Sequence, residues 1–134
     1  MKHEGFFGKC KIFTEGYAYF LFRVVVGLLF ILHGSAKFGS GIPGNWMMLV
    51  AGLIEVVGGL FLVLGLWTRL AAIISALEML YAFVVVHAIG KGTINPLANG
   101  GEAALLFLLA FLVLVTYGAG IWALERSWSK NECF

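Results

Sequence analysis

Residues 20–38, FLFRVVVGLLFILHGSAKF, are apolar enough to cross a bilayer, yet they carry Arg23, His33 and Lys37 inside or at the rim of the run. An ionisable side chain in a spanning helix costs a few kcal/mol unless it finds a partner, so such groups mark either pairing or function. On an α-helix, Arg23, Gly27, Phe30, Gly34 and Lys37 fall within about 40° of one line. His33 stands one turn before Lys37 and next to it. A polar, glycine-notched face of this kind cannot look at lipid. It must look at other helices, and those helices should carry the answering charges.

Composition sets the class. The chain has 134 residues, is 61% hydrophobic and has a mean hydropathy of +0.98, which excludes a soluble globular domain of this size. A formal net charge of +2, scattered along the chain, excludes a nucleic-acid binder. Cys10 and Cys133 lie near opposite ends with no C-x-x-C pair, which argues against a thiol relay or metal ligation by sulfur. They are expected to be free thiols.

Three segments follow in chain order. Residues 1–14 form a short basic lead with Lys2, Lys9 and Lys11, and no small-residue cleavage site follows the first apolar run. Residues 15–124 form a four-helix transmembrane domain, and residues 125–134 a polar tail. The spans run from about Tyr17 to Phe38, Trp46 to Trp67, Leu70 to Ile89, and Glu102 to Trp122. Gly/Pro/Asn loops at 39–45 and 90–101 and a tight turn at 68–69 separate them. Runs of roughly 20 residues match a hydrocarbon core about 30 Å thick, and no run alternates as a membrane strand does. The fold class is therefore all-α: four transmembrane helices in an up-down-up-down bundle. Lys2, Lys9, Lys11, Arg69, Arg126 and Lys130 fall on one side, and Lys37 and Lys91 on the other. That asymmetry places both termini in the cytoplasm of a bacterium, with the chain in its inner membrane.

At about 1.5 Å per residue, Arg23 lies roughly 9 Å above the inner edge, Glu78 roughly 12 Å and Glu55 roughly 18 Å. The expectation is a central Arg23–Glu55–Glu78 group, the candidate catalytic set. One arginine cannot neutralise two carboxylates, and a net buried charge is expensive, so the carboxylate pair is expected to share a proton. The group either locks the helices in register or serves as a proton-accepting site. Gly52, Gly58 and Gly59 flank Glu55 and allow either close helix packing or room for a flat ligand. A second, outer layer holds His33, Lys37, His87 and Glu102, the candidate cofactor-binding set. His33 and His87 are possible haem or metal ligands by residue type, but hydrogen bonding to Glu102 or loop carbonyls is the stronger expectation.

HGSAKF (33–38), GLIEVVGGLFLVLGLWTRLAA (52–72) and GGEAALLFLLAFLVLVTYGAG (100–120) resemble the DoxX family of small bacterial membrane proteins. The resemblance runs from Arg23 to Gly120 and implies a four-helix integral membrane protein. It also implies association with quinol or quinone oxidoreduction, or a role as a membrane anchor for redox and detoxification partners. The family's recurrent polar positions fall here on Arg23, His33, Lys37, Glu55, Arg69, His87 and Glu102. Two functions are therefore weighed. One is a redox subunit that binds a quinone headgroup and shares its chemistry with a partner electron donor, because the chain has no flavin or cluster motif. The other is a non-catalytic scaffold. Small-molecule transport is weaker, since four helices enclose little volume unless the chain forms a homo-oligomer.

Overall fold

The computed structural model describes residues 6–39 and 41–128. Lys2, Lys130 and Cys133 lie outside the described residues, as do parts of the expected lead and tail. Among the described residues the chain is helical, without strands. Helix α1 runs Phe6–Ala36, α2 Trp46–Leu64 and α3 Thr68–Tyr81, which continues directly into a π-helical segment, Ala82–Ile89. A single turn, α4 (Pro96–Asn99), precedes α5 (Glu102–Tyr117) and the short α6 (Glu125–Trp128). Three stretches, Gly16–Ala36, Trp46–Leu64 and Thr68–Ile89, are long and apolar enough to cross a membrane. The helix of α1 begins at Phe6, so the described part of the basic lead is continuous with the first span.

The fourth apolar run behaves differently from expectation. Its helix stops at Tyr117 after 16 residues, about 24 Å of helix, short of a hydrocarbon core. Gly118 and Gly120 take positive φ (71° and 66°), a conformation that glycine adopts without steric cost, and Trp122 follows at φ 53°. The chain then turns back on the end of α2, where Leu124 N and Glu125 N donate to the carbonyls of Leu64 and Gly65. Glu125 also accepts from the backbone N–H of Thr68 at 3.0 Å. A carboxylate thus sits on the first turn of α3, where the helix dipole favours it.

Packing follows the glycines. A Cβ on Gly27 would lie 2.8 Å from the Gly59 carbonyl oxygen, and one on Gly59 would lie 2.6 Å from that of Gly27. The backbones of α1 and α2 therefore touch, the usual route to tight helix association in lipid. Helix α3 packs between α2 and α5. A thin core of Val26, Phe30, Leu62, Ala72, Met79, Phe111 and Leu114 runs along the middle. Leu21, Leu32, Leu53, Leu77 and Leu106 stay exposed on the outside, as lipid-facing residues do.

Candidate functional site

Glu55 sits on α2 and is fully buried, with neither oxygen in a hydrogen bond. Its carboxylate instead faces two basic side chains at the C-terminal end of α1. Lys37 Nζ closes on Oε2 as an ion pair, and His33 Nε2 lies 3.6 Å from Oε1. The Lys37 side chain is 20% exposed and that of His33 45%, so the cluster runs from a sealed carboxylate to the surface within one residue. The local reason is Gly34. A Cβ there would come 2.7 Å from Glu55 Cβ, and without one the two helices bring His33 and Lys37 onto the carboxylate. Two residues of the expected outer layer, His33 and Lys37, thus meet Glu55 of the expected central group.

Glu78 supplies the second carboxylate, on α3. Both of its oxygens are buried without a hydrogen-bond partner, and it lies within electrostatic reach of Glu55 and Lys37. Gly58 of α2 lies opposite Ser75 of α3, a Cβ on Gly58 falling 2.9 Å from Ser75 Oγ. In an antiparallel pair, Glu55 and Glu78 then stand at the same level one turn away. Ser75 itself is fully buried and unpartnered, a residue that the sequence reading does not single out. The legible signal was its spacing: three residues before Glu78, and so on the same helix face.

Arg23 is not part of this group, which corrects the expected Arg–Glu–Glu constellation. It is fully buried and donates to the carbonyls of Ala119 and, at 3.0 Å, Trp122. Its guanidinium also lies over the Phe20 ring at 5.5 Å. The physical reason is level. A Cβ on Gly65 would meet Arg23 Nη1 at 2.9 Å, so Arg23 stands opposite the C-terminus of α2, about 15 Å along that helix from Glu55. Phe30 lies between, packed on Phe107 (tilted) and Phe111 (edge to face) at centroid distances of 5.2 and 4.7 Å. Arg23 and Tyr19 together satisfy carbonyls that the early end of α5 leaves orphaned.

His87 and Glu102 also stand apart from the cluster. His87 Nδ1 lies 3.1 Å from the Asn99 carbonyl, the loop-carbonyl arrangement expected for it. Asn99 is buried and braces the 90–101 loop, bonding the Thr93 carbonyl through Nδ2 and the Gly101 N–H through Oδ1. Glu102 is exposed in the first turn of α5 and forms no ion pair with Lys37 or His33 among the described residues. The imidazole of His33 packs on Phe107 of α5, with ring centroids 5.8 Å apart. A sealed carboxylate flanked by a lysine and a surface-reaching imidazole can take up, hold and pass a proton.

A family model, DoxX, matches residues 18–88, the part of the chain that holds Arg23, His33, Lys37, Glu55, Glu78 and His87. The chain belongs to the DoxX family. A protein of Haemophilus influenzae, named only as uncharacterised, is 50% identical over 125 residues, covering 84% of this chain and 93% of its own length. Two more distant DoxX-type relatives follow. One, from Bacillus subtilis, carries the name "Putative oxidoreductase CatD" and is 31% identical over 78% of this chain and 82% of its own. The other, the membrane protein Rv3486 of Mycobacterium tuberculosis, is 30% identical over 81% and 80%. No solved structure matches this DoxX chain.

Proposed function

We propose that this DoxX protein is the membrane subunit of a redox system, binding a quinone headgroup at the buried Glu55 and working with a partner electron donor. One observation carries it: Glu55 is sealed from solvent yet contacted by Lys37 and by His33, which is itself nearly half exposed. That is a route for a proton between a membrane-embedded acid and the surface. A quinone, when bound, supplies two-electron, two-proton chemistry. The chain's own part would be to hold the headgroup and to exchange protons at Glu55 and His33, with electrons arriving from the partner. The oxidoreductase name of the Bacillus subtilis relative supports a redox association.

In this reading the apolar run beyond α5 completes a fourth span, with the 118–124 turn carrying the chain to the far interface. Both termini face the cytoplasm of the inner membrane, on the six-to-two division of Lys and Arg between the two sides. A reporter active only in the periplasm, fused after Phe134, should be silent.

Titrating a short-tailed quinone into the purified protein tests the binding. The expected result is saturable binding to wild type and none to Glu55→Gln, with both proteins monodisperse. Absence of saturable binding to wild type would refute the redox reading. It would favour a scaffold, which the use of Arg23 and His87 in bracing backbone carbonyls also supports.

A further inference from the structure

We infer that the two loops at the Ala36 end of α1 are seated in the lipid boundary of one leaflet, with their apolar side chains as interfacial anchors. Gly27 stands against Gly59 and Gly34 against Gly52, so α1 and α2 are antiparallel. Just before α5, a Cβ on Gly101 would lie 2.8 Å from the Phe83 ring and 3.1 Å from His87 Cβ, at the end of the third span. The α1–α2 connection and residues 90–101 therefore share one end of the bundle. In or flanking them, Ile42, Trp46, Ile89, Ile94 and Leu97 are the five most exposed large apolar side chains among the described residues, from 70% for Ile89 to 83% for Ile42. Leu32 and Leu106, which face lipid in mid-helix, are less exposed than any of them. A concentration of this kind marks an interaction surface.

The polar side chains of these loops serve the loops' own backbone. Asn45 Oδ1 accepts from the Met47 N–H at 2.9 Å, and Asn95 Oδ1 from the Leu97 N–H at 3.1 Å. Buried Asn99 bonds the Thr93 carbonyl and the Gly101 N–H. The backbone closes on itself in the same way. Gly92 and Thr93 donate to the Ile89 and Ala88 carbonyls, and Asn99 and Gly101 to those of Asn95 and Pro96. Pro43 and Pro96 have no N–H to satisfy. Irregular backbone tolerates an apolar setting only where its polar groups are paired within the protein. Here the pairing is internal, and isoleucine, leucine and tryptophan are left facing outward.

The occupant is the bilayer rather than a protein. The apolar surface is continuous with the lipid-facing spans, since Trp46 begins the second and Ile89 ends the third. The helices pack in the order α1, α2, α3, α5, so the two loops lie on opposite edges of the bundle. Apolar side chains on opposite edges form a rim, which a surrounding leaflet covers and a partner on one face does not. Trp46 suits the headgroup level, where its ring is apolar and its N–H wet. Lys37 agrees with this seating. A lysine at the end of a spanning helix ordinarily snorkels its ammonium to water, whereas Lys37 turns inward onto Glu55. The seating needs no ligand at Glu55 and stands apart from the redox reading.

The test is electron spin resonance on the full-length protein in phosphatidylcholine vesicles. Cys10 and Cys133 are replaced by serine, and a nitroxide is attached in turn at Ile42→Cys, at Leu97→Cys and, as a lipid-facing reference, at Leu32→Cys. Oxygen should relax both loop labels more than a water-soluble nickel chelate does, at depths of about 5–10 Å into the headgroup–acyl boundary. Stronger relaxation by the chelate at both loops would put them in water and overturn the inference. Labels immobilised and shielded from both relaxants would reveal a protein or second-copy contact, and would overturn it as well. A phosphatidylcholine carrying a diazirine near its glycerol, photolysed on the wild type, keeps the test open should a variant fail to fold. Adducts on residues 41–45 and 90–97 are expected, and adducts confined to the spans would overturn the seating.

Discussion

Replacing Lys37 by methionine should strand the Glu55 carboxylate, and the structure sets how badly. Glu55 is fully buried and has no hydrogen bond, so Lys37 is its principal compensation. Removing one partner of a buried pair costs about 3–5 kcal/mol, because the remaining charge is left uncompensated. Two features pull the value to the low end. The Lys37 side chain is 20% exposed, and His33 stands 3.6 Å away, able to take up part of the role if it becomes protonated. A loss of about 3 kcal/mol is therefore expected, or roughly 10 °C in melting temperature for a chain of this size. Glu55→Leu should cost less, since the Lys37 side chain can extend toward the surface. The double variant Lys37→Met/Glu55→Leu removes both charges and should be more stable than Lys37→Met alone by about 2 kcal/mol. Thermal unfolding in detergent, followed for all four proteins, measures the coupling. Additive losses would mean that Lys37 and Glu55 do not meet in the folded protein, and the site as described would fall.

Three further outcomes are expected. Arg23→Leu withdraws a charged donor from the Ala119 and Trp122 carbonyls and should cost about 2–4 kcal/mol; adding Glu78→Gln should restore none of it, and a rescue in thermal unfolding would show that Arg23 answers Glu78 after all. Gly34→Ala drives a methyl to 2.7 Å from Glu55 Cβ and 3.0 Å from the Gly52 carbonyl, so it should destabilise by about 1–3 kcal/mol, more than Gly58→Ala, which meets the movable Ser75 hydroxyl first. Equal melting temperatures for these two variants would refute close α1–α2 contact at Gly34. Infrared spectra of the wild type should show a protonated-carboxyl band that Glu78→Gln removes, and a wild type without that band would show that the carboxylate pair holds no proton.

How far the sequence was legible depended on the scale of the feature. Spans two and three were readable because Trp46, Gly65 and the glycine-rich loops bound apolar runs of the right length, and the structure ends its helices at those points. The fourth run misleads because hydropathy is blind to backbone conformation. Residues 118–124 are as apolar as a helix, but two glycines at positive φ and an arginine donating to the Ala119 and Trp122 carbonyls accompany its early end. Depth counting fails for Arg23 for a related reason. It takes each helix to start at its apolar edge, whereas α1 begins at Phe6 and packs so that Arg23 meets Gly65, far below Glu55. Lys37 goes to Glu55 because a long flexible side chain at a helix end can reach back a full turn, which a count of residue levels does not register. Glu102 was read as a neighbour of His33 from its level alone, but the Asn99-braced loop leaves it exposed in the first turn of α5.

Moving Arg23 out of the cluster sharpens the charge problem rather than removing it. Among the described residues, Lys37 is the lysine or arginine that meets Glu55 and acts on Glu78, because Arg23 is spent on carbonyls some 15 Å away along α2. A net negative charge at this depth is too costly to persist. On the proposed redox reading, a proton shared among Glu78, Glu55 and His33 would balance that charge, and His33 is the most exposed of the three. A scaffold would need none of this, since an apolar pair in place of the two glutamates would pack the same helices without a charge to balance. On the proposed redox reading, that imbalance is the feature of this cluster that proton handling would use and bundle assembly would not.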